Sequence, residues 1–163
     1  MGNELVSVSA DGPVTPRDRE PIHSSLWDPR TLPDEVWQQV GVDPTTLATT
    51  IGGLEGVFKG FKRCGGRSNP GNFALDVWSQ MYTLEDFRRK HAGVEFVPIS
   101  IAGREGMRFR PITDRQGDQC DLLFPAEQGS LSVTVLRLDH HSSSSPFERA
   151  AEAAAVIVPL LPR

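Results

Sequence analysis

The chain has 163 residues, with 17 Lys and Arg against 21 Asp and Glu and a formal net charge of −4. This mixed, mildly acidic balance argues against a general nucleic-acid binder, which would show a basic excess. The length suits one ordinary domain with a tail. The longest apolar run, AAAVIVPLLP, falls well short of the ~20 residues of a membrane span.

Residues 1–26 hold Pro, Ser, Asp and Arg without a sustained apolar period and read as a flexible tether or tail. The opening MGNELVSVSADG lacks the basic start and apolar core of a signal peptide. The domain proper is expected over 27–163. LPDEVWQQVG predicts a short helix: Pro33 suits its first position, Asp34 and Glu35 suit the positive end of the dipole, and Gly41 suits the stop. DPTTLATTIGG predicts a second, with Asp43 as the cap and Gly52 and Gly53 at the end. GVFKGFKRC and NFALDVWSQ alternate as strands, with Phe73, Leu75 and Val77 on one face and Ala74, Asp76 and Trp78 on the other.

TLEDFRRKHAG carries a helix signature, with Thr83 as N-cap, Asp86 three residues on, and Leu84, Phe87 and His91 in one stripe. FVPISIAG, GMRFRP, QCDLLF and SLSVTVLRL read as four further strands joined by tight turns. The last helix starts at a Ser145–Glu148 capping box, and Phe147, Ala151, Ala154 and Val158 make its narrow face. This order lacks the β-α alternation of a parallel sheet. It predicts an α+β fold: one mainly antiparallel sheet of about five to six strands, helices packed on one face, and a helix at the C-terminus.

Three groups of residues invite a chemical reading. Asp139, His140 and His141 offer metal-type ligands or the parts of a hydrolase. Neighbouring side chains on an extended loop point apart, however, and catalytic triads are assembled from separate elements. A solvated loop explains them better, and no catalytic residue, metal or cofactor is expected. Lys59, Lys62, Arg63 and Arg67 form a basic cluster. It reads as an edge strand guarded by charge or, through Lys59 and Arg63 on one face, as a small anionic site. Cys64 and Cys120 form no CxxC pair. Their spacing leaves two buried thiols and a disulfide equally open.

From Trp27 to Pro162 the chain resembles an actinobacterial family of envelope lipoproteins filed as domain of unknown function 3558. The resemblance is carried by Trp27-Asp28-Pro29, Cys64 at the close of a strand, the Asn72–Val77 strand, TLEDFRR, PISIAGREGMRF, Cys120 with its alternating strand, GSLSVTVL and the Ala-rich helix ending LLP. It implies export, an N-terminal lipid anchor outside this chain, and residence on the outer face of the cell membrane or in the envelope. The tether-like 1–26 segment fits. Arg30 and Phe147 stand where members often carry a further cysteine pair, and Gly65 stands where an aromatic follows the first strand's cysteine. The oxidising setting implied by the resemblance favours a Cys64–Cys120 disulfide.

The expected function is that of a non-enzymatic envelope domain that binds a ligand or a partner. Asp76, Trp78 and Gln80, with Lys59 and Arg63 beside them, are the candidate face. The expected partner is an envelope protein or a small apolar or anionic ligand, with no nucleic acid. The alternatives are a small hydrolase using the Asp139/His140/His141 loop and an intracellular interaction domain.

Overall fold

The computed structural model describes residues 26–50, 60–141 and 144–163. The segment read as a tether, apart from Leu26, and Lys59 lie outside the described residues.

Helix α1, Asp34–Gln39, starts at Pro33 and stops where Gly41 takes a φ of +89°, a conformation open to glycine at little cost. The second helix expected from DPTTLATTIGG is not found. Asp43 accepts from the Thr45 amide and starts only a 3₁₀ turn, Pro44–Thr46. Leu47 is then extended, and Ala48 bridges to Gly65. The threonines of TTLATT are stiff at χ1 and weak helix formers, so pairing along a strand edge wins. The end of that expected helix, 51–53, lies outside the described residues.

The strands are β1 (Phe61–Arg67), β2 (Phe73–Gln80), β3 (Val97–Ile101), β4 (Arg104–Phe109), β5 (Gln119–Ala126) and β6 (Gly129–Arg137). They form one fully antiparallel sheet in the order β1-β2-β6-β5-β4-β3. After β2 the chain passes through α2, Leu84–Lys90, to the far edge and then returns strand by strand until β6 closes on β2. At the β3–β4 turn, Ala102 and Gly103 have φ of 52° and 79°, the paired positive angles that match the twist of a tight hairpin. Both halves of the Thr83–Asp86 capping box are formed at α2, as are those of Ser145–Glu148 at α3, Pro146–Ile157.

Alternation sorts each strand into two faces. Leu75 and Val77, Val133 and Val135, and Cys120, Leu122 and Phe124 point to one side. There they meet Ala150, Ala153, Ala154 and Ile157 of α3 and the fully buried Trp37 of α1. Of the expected face, Ala154 and Val158 are buried and Phe147 packs against the core, whereas Ala151 is only half-buried; Ala150, Ala153 and Ile157 complete the contact. Methyl side chains at the contact let the helix lie close to the sheet. Whereas α1 and α3 cover the apolar face, α2 stands over an edge of the opposite one, with Phe87 and His91 against Phe109. Among the described residues no helix is long and apolar enough to cross a membrane.

The expected Cys64–Cys120 bridge is not formed, and both thiols are free and buried. Cys64 lies on β1 and Cys120 on β5, with β2 and β6 between them. Three interstrand spacings of about 4.8 Å put the α-carbons roughly 14 Å apart, twice the reach of a disulfide. Both side chains point into the apolar core. Burial pushes the thiols up to about 11 at Cys64 and about 12 at Cys120, so they behave as small apolar residues.

Candidate functional site

The face opposite the core is built from the strand positions that alternate with the apolar set. Three rows cross it. One runs Gly65, Asp76, Thr134, Asp121, Phe109; the next Arg63, Trp78, Ser132, Leu123, Met107; the third Phe61, Gln80, Ser130, Pro125. A cleft of about 280 Å³ opens over the first two rows and is closed at one end by Phe87 and His91 of α2.

Its floor is polar and hydrogen-bonded. The Thr134 hydroxyl donates to Asp121 Oδ1 at 2.5 Å, and Gln119 Nε2 donates to Asp121 Oδ2 at 3.2 Å. Gln80, 2% exposed, donates to Ser130 and Ser132 at 3.1 and 3.4 Å. At the β1 side Arg63 donates to Asp76 Oδ1 at 2.7 Å and to the Thr50 carbonyl at 2.6 Å. Gly65 makes room for that pair: a β-carbon there would lie 1.8 Å from Asp76 Oδ1, so any side chain at 65 would push the carboxylate aside.

The two carboxylates differ in environment. Burial raises the pKa of Asp76, and the charge and hydrogen bond of Arg63 work against that rise. Asp121 has no ion-pair partner among the described residues. Burial pushes it up to about 6 despite the bonds from Thr134 and Gln119, and the charges of Asp76 and Asp114 add to the rise. The walls are aromatic. Phe61 meets Trp78 edge to face at 6.0 Å on the β1–β2 side. Across the cleft, His91 lies 5.1 Å from Phe109 and in a parallel stack with Phe87. Burial lowers the pKa of His91.

The structure thus brings Asp76, Trp78, Gln80 and Arg63 to one face. Arg63 is not a free cation for an anionic ligand, because its terminal nitrogens are held by Asp76 and by backbone carbonyls. Asp121, Gln119, Ser132, Thr134 and the α2 aromatics complete the site and were not singled out by sequence reasoning. Their signal was the polar half of the alternation in QCDLLF and SLSVTVLRL.

The loop residues are placed apart from this cleft. The Asp139 carboxylate accepts the His141 backbone amide at 2.9 Å instead of orienting an imidazole. His140 Nδ1 lies 3.2 Å from Asp118 Oδ1, but Arg137 holds that same oxygen and the His140 side chain is 60% exposed. Among the described residues no group of three or more His, Cys, Asp or Glu is placed to hold a metal ion. A wider groove of about 620 Å³ runs between β4 and the start of α3. Its buried carboxylate, Asp114, is taken up by the amides of Asp118 and Gln119, and the Phe147 ring at its side is covered by Arg108 at 4.2 Å. The smaller cleft is therefore the stronger candidate, since among the described residues its buried carboxylate Asp121 has no ion-pair partner.

Comparison with known sequences gives a family and no function. The profile of a family described as Protein of unknown function (DUF3558) matches residues 5–160. The chain belongs to that family. The match takes in every element of the fold and begins inside the segment read as a tether. Neither a search of curated proteins nor one of solved structures returns a match. The fold and cleft described above therefore carry the functional argument for this DUF3558 member.

Proposed function

We propose that this DUF3558 protein is a non-enzymatic domain of the cell envelope, exported and held by an N-terminal lipid anchor, that binds a small molecule on the open face of its sheet. The observation that carries the binding is the cleft: a floor of hydrogen-bonding side chains, a buried carboxylate without a counter-ion among the described residues, and aromatic walls on two sides. Ligand sites combine apolar walls with a few convergent polar groups in this way. The recess favours a small molecule over a protein partner, which would suit a flat apolar patch. The envelope location is supported by the resemblance to actinobacterial envelope lipoproteins and not by the cysteines, which are unbridged.

The test is amide chemical-shift mapping of the full chain against a library of neutral, cationic and anionic small molecules. Binders should shift Trp78, Ser132 and Leu123 and leave Asp139–His141 in place. Shifts confined to that loop, with turnover of an ester or amide in the same tube, would support the hydrolase reading instead.

A further inference from the structure

Among the described residues, the cleft's charges do not cancel. From β1 it receives the Arg63 guanidinium and from β2 the Asp76 carboxylate, which hold each other at 2.7 Å. From β5 it receives Asp121, fixed by a hydroxyl and a side-chain amide, both neutral. From α2 it receives His91, whose lowered pKa leaves the ring neutral near pH 7. Asp114, behind the floor, adds a further negative charge whose carboxylate is spent on backbone amides; its Arg110 neighbour is 3.9 Å away and mostly exposed. On α2, Arg88 reaches Met107 Sδ at 3.1 Å, at the end of the second row. Among the described residues no cation pairs with Asp121, which sits at the centre of the floor and nearly out of contact with water.

A buried carboxylate without a counter-ion is costly unless something pairs with it. Aromatic faces are the other half of a site for organic cations, because the ring quadrupole attracts positive charge and an alkylated ammonium sheds water easily. Here Phe61 and Trp78 stand on one side of Asp121, and Phe87 and Phe109 on the other. At about 280 Å³ the cleft lies just below the usual range for ligand sites, roughly 300–1,000 Å³, which suits a ligand smaller than a drug-sized molecule. The geometry points to a small monovalent organic cation, an alkylated ammonium, as the ligand, with its charge on Asp121 and its carbon body between the aromatic walls. This rests on the proposed binding cleft and assigns its ligand class.

Binding then requires Asp121 ionised. Affinity rises with pH through about 6 and levels off above it. Protonation of His91 at acid pH adds repulsion in the same direction.

The probes are choline, its uncharged isostere 3,3-dimethyl-1-butanol, and the anion 3,3-dimethylbutyrate, titrated into the full chain and followed at the Trp78, Ser132 and Leu123 amides. Choline should bind at least about tenfold more tightly than the alcohol near pH 7.5, and should lose that advantage near pH 5. Asp121→Asn should abolish the preference, and the pH series on the unaltered chain gives the same answer should the variant fold poorly. Equal or tighter binding of the alcohol or the anion at these amides would overturn the cation and leave the cleft standing. Absence of shifts from all three would overturn the cation and weigh against the cleft as well.

Discussion

Asp121 sits between the Thr134 hydroxyl and the Gln119 amide, where most buried carboxylates would have a cation. Its folded-state pKa, about 6, stands above the ordinary value of 3.8. Between those pH values the folded chain binds more protons than the unfolded one, so this residue's contribution to stability falls as pH rises through the window. At about 1.4 kcal/mol per unit the loss is about 3 kcal/mol. Asp121→Asn removes it: Thr134 keeps an acceptor, and a turned Gln119 amide can accept from the new one. In urea titrations the variant should match the parent near pH 4, gain on it up to about pH 6, and stay ahead by 1–3 kcal/mol above. A constant offset at every pH would show that Asp121 ionises normally. Asp76, Trp78 and Gln80 were legible because NFALDVWSQ alternates cleanly. Asp121 was not, because QCDLLF reads first as an apolar strand and its polar members show only once β5 has neighbours.

At the scale of elements, strand order decides what the cysteines can do. The strands and tight turns are written in period-two patterns and turn residues, and the capping boxes mark both long helices. The order in which strands pair is not so written. QCDLLF could neighbour the first strand as far as its own residues show, and only the passage of α2 to the far edge puts β2 and β6 between β1 and β5. The same holds for α2 itself, whose stripe requires a packed face without saying which side of the sheet supplies it. Unbridged, Cys64→Ala and Cys120→Ala each remove one buried sulfur, at about 1 kcal/mol apiece. They should add nearly independently, because the sites share no contact. Reductant should leave the parent's denaturation midpoint unchanged. A midpoint lowered by reductant in the parent but not in the double variant would restore the bridge.

Over the whole molecule the two faces of one sheet divide the work. The face under α1 and α3 holds nearly all the apolar burial and supplies the stability. The other is only partly covered, by α2, and can therefore carry polar and charged groups that a closed core would reject. Fold class and the apolar face were readable from periodicity alone. The cleft was readable only in part, since it needs residues from β1, β2, β5, β6 and α2 brought together by pairing. The claim at the centre is that this open face holds a small molecule in the living envelope. Native mass spectrometry of the full protein, released gently from the membranes of its own host, tests it most directly. The account predicts a single small adduct at one-to-one stoichiometry, carrying one positive charge when released, and absent from an Asp121→Asn protein whose denaturation midpoint is no lower than the parent's. An adduct-free parent, or an adduct equally present in the Asp121→Asn protein, would contradict it.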